Sequence, residues 1–123
     1  MKPNTSLIKS FGFAIEGIKL AYKYNRNIRI HTVIAIIAII LCFIFGLNNY
    51  ETGIIIVAIA LVICAEMVNT VIEEMVDLII QEHREQARIA KDVGAGMVLV
   101  CSIGAVIIGV IVFIPHIINL IIK

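Results

Sequence analysis

The sequence contains few charged side chains for its length. Of its 123 residues, 15% are Asp, Glu, Lys or Arg, whereas 61% are hydrophobic. Soluble domains contain about 45–50% apolar residues. Together with a mean hydropathy of +1.06, this composition argues against a soluble domain and indicates a membrane protein. A chain of this length is expected to form one domain.

Several common motifs are absent from the sequence. The three cysteines, Cys42, Cys64 and Cys101, lie apart in apolar runs with no CxxC spacing, which argues against a disulfide framework and a zinc site. Neither GxxxxGK[ST] nor GxGxxG occurs, so the chain has no P-loop and no dinucleotide-binding fingerprint. The first apolar run follows a long basic segment, so we expect no signal peptide and a retained N-terminus.

Basic residues are not spread evenly along the chain. They concentrate in two patches, one within residues 1–29 and one within residues 84–91. Lys and Arg mark the cytoplasmic side of membrane proteins, so both patches are expected on that side. An even number of crossings must then separate them, which predicts three membrane spans with the N-terminus inside and the C-terminus outside.

The uncharged runs give the boundaries of these spans. A helix needs about 20 apolar residues to cross a bilayer, and the predicted transmembrane helices cover residues 30–50, 52–80 and 92–120. The uncharged part of the second span, residues 52–65, is too short alone, so this helix must continue into the polar stretch that follows. Pro115 is expected to end or kink the third span.

Residues 1–28 precede the spans and have a different pattern. Apolar side chains recur there at steps of three and four, with charged residues at the other positions. This spacing is typical of an amphipathic helix that lies in the membrane interface. Such a helix is either a plain membrane anchor or a cover over an active site. The predicted fold is an all-α membrane protein with one interfacial helix and three transmembrane helices.

The second span carries a stripe of polar side chains. At 100° per residue, Glu66, Asn69, Glu73 and Asp77 fall within an arc of about 80° on one helix face. Charged groups in hydrocarbon are costly and usually face a bundle interior or a wet cavity. Carboxylate and amide oxygens suit magnesium, and Glu66, the deepest of the four, is the best candidate for a general base. The same groups could instead serve cation transport or contacts between helices.

The start of the third span holds a second polar cluster. Arg88 and Lys91 could bind phosphate. Alternatively, Lys91 and Asp92 are an ordinary membrane anchor and an acidic helix start. Gly94 and Gly96 are small enough to let helices approach closely.

Three segments of the chain resemble one protein family. Residues 66–77 match its E-[LM]-x-N-[ST]-x-I-E-x-x-x-D signature, residues 90–95 match its A-K-D motif, and residues 26–31 match the R-N-x-x-x-H segment of its Gram-positive branch. The family is that of the small bacterial diacylglycerol kinases and undecaprenol kinases. The resemblance extends over nearly the whole chain.

The resemblance implies a homotrimer with shared active sites in the bacterial cytoplasmic membrane. It implies transfer of the γ-phosphate of ATP to a lipid hydroxyl, with Mg²⁺ as the cofactor. Undecaprenol is the expected substrate, and diacylglycerol is the alternative. Outside kinase chemistry, a cation transporter and an inactive membrane trimer are the alternatives.

The resemblance also implies roles for individual residues. Glu66 matches the catalytic base, with Asn69 beside it as a second catalytic residue. Glu73 matches a metal ligand that also meets the nucleotide, and Arg29 and Glu66 are expected to contact the lipid. The other expected nucleotide contacts are Asp77, Glu82, His83, Arg84, Lys91 and Asp92.

One position departs from the pattern of the family. Family members usually have a Glu immediately before the R-N pair, as a second metal ligand, whereas this chain has Asn25. Asn25 is the expected counterpart of that ligand, and it offers a carbonyl oxygen but no charge. This difference keeps an inactive trimer among the alternatives.

Overall fold

The computed structural model describes residues 6–80 and 84–122, and within them the chain forms four α-helices. Helix α1 is Leu7–Tyr24, α2 is Arg26–Ile44, α3 is Asn49–Ile79 and α4 is Glu85–Ile122. Helices α2, α3 and α4 are each long and apolar enough to cross a membrane. The chain is therefore an all-helical membrane protein, as its composition predicted.

Helix α3 is the centre of the fold, because α2 and α4 both pack along it. Its buried residues recur at helical spacing and form one stripe: Ile55, Ala58, Val62, Ala65, Glu66 and Asn69. Such spacing places side chains on a single face of a helix. The stripe is apolar up to Ala65 and polar from Glu66 onward, so the face that packs against the bundle also carries the first carboxylate.

The three long helices share a small apolar core at the other end of α3. Cys42 of α2, Ile55 of α3 and Val112 of α4 are buried against one another. The rings of Phe45 and Phe113 pack nearby, with their centroids 6.0 Å apart. This core holds the helices together at the end of the bundle that lies away from Glu66.

Asn25 separates α1 from α2 and determines where α2 begins. Its backbone is extended, with φ −99° and ψ 116°, and its side chain accepts hydrogen bonds from the backbone N–H groups of Asn27 and Ile28. This is the geometry of a helix N-cap, which satisfies donors that the first helical turn leaves without partners. The helix predicted over residues 1–28 is therefore interrupted at Asn25, and α2 begins before the predicted start at residue 30.

Hydrogen bonds join helix α1 to α2 near the last turn of α1. No residue of α1 is buried. The hydroxyl of Tyr22 is hydrogen-bonded to that of Thr32 in α2, and the Arg29 guanidinium donates to the carbonyl oxygens of Tyr22 and Lys23 at 3.3 and 3.2 Å. These bonds join the end of α1 to α2. The location of α1 in the membrane interface stays a prediction.

The turn between α2 and α3 is closed by side chains. Asn48 caps α3, and Glu51 Oε2 accepts a hydrogen bond of 2.9 Å from the Asn48 backbone N–H, which completes a capping box. The other Glu51 oxygen lies 3.1 Å from Nε2 of His116, so the start of α3 is tied to α4. Gly46 in this turn has a φ of 64°, a left-handed conformation that glycine adopts without strain.

Helix α4 is longer than the span predicted over residues 92–120. It begins at Glu85 and continues through Pro115 to Ile122. Pro115 therefore does not end this span, and the other expected effect, a kink at Pro115, stays a prediction. A proline removes one backbone donor, and membrane helices tolerate it where neighbouring groups satisfy the freed carbonyl.

Replacing Gly46 with Ala is expected to destabilise the protein by about 1–2 kcal/mol, because a side chain is strained in the left-handed conformation. The added Cβ would meet open space, so the cost comes from the backbone alone. Gly53→Ala is the matched control, since Gly53 lies inside α3 with equally open surroundings. In a denaturation experiment in detergent micelles, the unfolding midpoint should be lower than that of the wild type for Gly46→Ala only. Equal midpoints for both variants would contradict this expectation.

Candidate active site

Glu66 is a buried carboxylate in the middle of a bundle of apolar helices. It is 2% exposed, as deeply buried as the apolar residues of the same stripe. Removing a charged group from water is costly unless hydrogen bonds or opposite charges compensate it. The structure provides such partners from α2 and from the junction between α1 and α2.

Each oxygen of the Glu66 carboxylate has a polar partner. Asn25 Nδ2 donates a hydrogen bond to Oε2 at 3.3 Å, and His31 Nε2 lies 3.4 Å from Oε1. His31 lies in the polar first part of α2, just before the apolar run that begins at Val33, and it meets α3 at Glu66, where the buried face of that helix becomes polar. The carboxylate is therefore fixed between two elements that are far apart in sequence.

The orientation of the Asn25 amide follows from its role as a helix cap. Its Oδ1 accepts from the backbone N–H groups of Asn27 at 2.7 Å and Ile28 at 3.3 Å. Its Nδ2 therefore points to α3, where it donates to Glu66 and to Thr70 Oγ1. The oxygen expected to bind a metal is engaged by α2, and the role of Asn25 as a metal ligand stays a prediction.

Asn69 and Glu73 continue the polar stripe toward the end of α3. Asn69 is 4% exposed, and its Nδ2 donates to Glu73 Oε1 at 2.9 Å. Its buried Oδ1 has no hydrogen-bond partner among the described residues and lies against Gly94 of α4, where a Cβ would overlap with it. Gly94 therefore lets α4 approach α3 closely enough to enclose the Asn69 amide, which in turn holds one oxygen of Glu73.

A cleft between the end of α3 and the start of α4 contains the remaining charged groups. Lys91 Nζ donates to Asp77 Oδ1 at 2.5 Å, and both side chains are more than one-third exposed. The cleft has a volume of about 520 Å³ and is lined in part by these charged residues: Asp77, Arg84, Glu85, Arg88, Lys91 and Asp92. Glu82 and His83, which were predicted to contact the nucleotide, lie outside the described residues.

Burial falls steadily along the polar stripe of α3. Glu66 and Asn69 are buried, whereas Glu73 and Asp77 are exposed. At a rise of about 1.5 Å per residue, Glu66 and Asp77 are about 16 Å apart along the helix axis. The stripe thus leads from the apolar interior of the bundle to the charged cleft.

Within the described part of the chain, the hydrogen bonds of Arg29 go to α1 and not to the polar stripe of α3. Its guanidinium donates to two carbonyl oxygens in the last turn of α1, a favourable position for a cation because the C-terminal end of a helix carries partial negative charge. This contact positions α1 on α2. The expected contact between Arg29 and a lipid stays a prediction.

Two polar residues of the site had no role assigned from the sequence. His31 belongs to the R-N-x-x-x-H segment, and Thr70 lies four residues after Glu66 on the same helix face. Thr70 Oγ1 donates to the backbone oxygen of Glu66 at 2.9 Å. Helical spacing alone puts Thr70 on the same face as Glu66, but only the structure reveals that it meets Asn25.

The carboxylates of the described residues that could bind a metal lie singly and not in a cluster. Within residues 6–80 and 84–122, no three His, Cys, Asp or Glu side chains are grouped closely enough to form a metal site. Mg²⁺ usually binds one or two protein carboxylates and completes its shell with water and phosphate oxygens. The exposed carboxylate of Glu73 fits a Mg²⁺ ion that arrives with a nucleotide, whereas a site made by protein ligands alone does not fit.

Comparison with known proteins identifies the family of this chain. The family model of prokaryotic diacylglycerol kinases matches residues 12–113. The chain is 35% identical over 116 residues to a diacylglycerol kinase of Synechocystis sp., an alignment that covers 94% of this chain and 66% of that protein. It is 37% identical over 107 residues to the undecaprenol kinase of Bacillus subtilis, with 87% of each chain covered. The diacylglycerol kinase of Escherichia coli is 30% identical over 103 residues, with 84% of each chain covered. The chain therefore belongs to the prokaryotic diacylglycerol kinase family.

Proposed function

We propose that the protein is a lipid kinase that transfers the γ-phosphate of ATP to the hydroxyl of a membrane lipid alcohol. The observation that carries this proposal is the burial of Glu66 at the point where the apolar stripe of α3 becomes polar. An ionisable group held at such a position is expected to be functional. The family membership of the chain supports the same reaction, since relatives of the chain are named as lipid kinases.

In this proposal Glu66 is the general base. The lipid hydroxyl gives its proton to the carboxylate while its oxygen forms a bond to the γ-phosphorus, and the bond from that phosphorus to the bridging oxygen of ADP breaks. Asn25 and His31 contact the two carboxylate oxygens at 3.3 and 3.4 Å and hold the base in place. A positioned base of this kind contributes roughly 10²–10⁴-fold to a proton transfer.

The cleft beside α4 is the proposed nucleotide site. Lys91, Arg84 and Arg88 line it, and such cations bind phosphate oxygens through charge-assisted hydrogen bonds. Asp77 accepts from Lys91 at 2.5 Å and so fixes the direction of the Lys91 ammonium group. The nucleotide would lie along α3, with its γ-phosphate toward Glu66 and its ribose near Asp92.

Magnesium is the proposed cofactor, and Glu73 is its proposed protein ligand. When bound, the ion would neutralise charge on the phosphates during transfer. Glu73 lies between the cleft and Glu66, and Asn69 holds its Oε1 at 2.9 Å. Asn69 thus acts at the catalytic centre by orienting the carboxylate that would receive the ion.

Undecaprenol is the proposed substrate, with diacylglycerol as the alternative. The alignment with the undecaprenol kinase covers 87% of both proteins, and His31, from the segment that resembles the Gram-positive branch, contacts Glu66. We further propose that the chain assembles as a homotrimer in the cytoplasmic membrane, with its N-terminus on the cytoplasmic side. The basic residues near the cleft support that orientation.

Purified protein in lipid-containing micelles should transfer label from γ-labelled ATP to undecaprenol when magnesium is present. Diacylglycerol is offered in parallel, and omission of magnesium serves as the blank. Label in diacylglycerol alone would select the alternative substrate. Label in neither lipid would overturn the kinase proposal and favour a cation transporter or an inactive assembly.

Replacing Gly94 with Ala should lower kcat by roughly 10- to 100-fold, because the new methyl group displaces the Asn69 amide and misplaces Glu73. Gly96→Ala is the matched control, since Gly96 lies two residues further along α4 and an added Cβ there meets open space. The unfolding midpoint of each variant is measured beside its kcat. Equal activity of the two variants would contradict the proposed role of the contact between Gly94 and Asn69.

A further inference from the structure

We propose that Thr70 is a positioning residue for the catalytic base, acting through Asn25. Its hydroxyl accepts a hydrogen bond from Asn25 Nδ2 at 2.5 Å and donates one to the backbone oxygen of Glu66 at 2.9 Å. Thr70 therefore links two groups. One is the Asn25 amide, which contacts the Glu66 carboxylate, and the other is the backbone of Glu66. This inference rests on the proposed kinase function.

The hydrogen bonds of this cluster leave the Asn25 amide a single orientation. Both acceptor positions of Oδ1 are taken by the first turn of α2. The two hydrogens of Nδ2 have two acceptors, Glu66 Oε2 and Thr70 Oγ1. An amide with all its donors and acceptors engaged cannot turn without leaving a polar group unsatisfied, which is costly where water is scarce.

The direction of the Thr70 hydroxyl is also determined. Because its hydrogen goes to the carbonyl oxygen one turn earlier, its lone pairs face the amide of Asn25. Without this acceptor, one N–H of Asn25 would lose its partner, and the amide would be held only by its bonds to α2 and to Glu66. The base would then keep His31 on Oε1, while its 3.3 Å contact with Asn25 on Oε2 would be weakened.

Thr70 also connects the α1–α2 junction to α3. Asn25 is the single residue between α1 and α2, so the bond between Asn25 and Thr70 fixes this junction against the helix that carries the base. A small displacement of a catalytic group can cost a large factor in rate. The role of Thr70 should therefore be evident in kcat more than in the KM for ATP.

The test compares Thr70→Val, which keeps the shape but removes the hydroxyl, with Thr70→Ser, which keeps the hydroxyl. We expect Thr70→Val to lower kcat by roughly tenfold or more, with little change in the KM for ATP, and Thr70→Ser to stay within about threefold of the wild type. Thr52→Val is the matched control, since Thr52 lies in the first turn of α3, about 27 Å from Thr70 along the helix. It should retain wild-type kcat.

A double variant separates positioning from a general effect on folding. Because Thr70 acts through Asn25, adding Thr70→Val to Asn25→Ala should cause little further loss of kcat beyond Asn25→Ala alone. Each variant is first checked for a wild-type elution profile and unfolding midpoint in micelles. If the kcat losses of the two single variants multiply in the double variant, the inference is overturned. Wild-type kcat in Thr70→Val would overturn it too, as would equal losses of kcat in Thr70→Ser and Thr70→Val. An inactive wild-type protein would instead overturn the proposed function.

Discussion

The structure depends on keeping a carboxylate inside a bundle of apolar helices. Glu66 is 2% exposed, and an uncompensated charge at such a place would cost several kcal/mol. The compensation comes from Asn25 and His31, which belong to a different part of the chain. Holding this one side chain thus requires that the α1–α2 junction, α2 and α3 meet at a defined angle. The same requirement places Glu66 in a fixed position relative to any substrate.

One face of helix α3 is apolar in its first part and polar in its second part, so the helix connects two different environments. Its stripe packs the bundle through Ile55, Ala58 and Val62, and then continues as Glu66 and Asn69. Further along, the carboxylates are exposed and meet the charged cleft at the start of α4. The proposed reaction between a lipid alcohol and a water-soluble nucleotide would use such a gradient, because the lipid would come from the membrane and the nucleotide from water.

Much of this arrangement could be predicted from the sequence. The uncharged runs predicted three long helices, and the period of 3.6 residues placed Glu66, Asn69, Glu73 and Asp77 on one face. Both are local properties, since they depend only on spacing along one helix. The motifs also predicted the family, which the comparisons confirm.

The contacts across helices could not be predicted in this way. The sequence suggested Asn25 as a substitute metal ligand, whereas in the structure its oxygen caps α2 and its nitrogen meets Glu66. The unsatisfied oxygen of Asn69 and its contact with Gly94 depend on how closely α3 and α4 approach. The observed helix ends also differ from the predicted ones. Capping residues determine where the helices begin, and Pro115 lies inside α4 without ending it. A hydropathy pattern predicts neither effect.

The most direct test of this account is the phosphorylation activity of Glu66→Gln, measured with γ-labelled ATP and the accepted lipid alcohol. Gln keeps the size of Glu66 and one oxygen that can accept from Asn25 Nδ2, but it cannot take a proton from the hydroxyl. The account predicts a loss of kcat of at least about 100-fold, with an elution profile and an unfolding midpoint like those of the wild type. Activity within a few-fold of the wild type would contradict it, because the buried carboxylate would then not be the base.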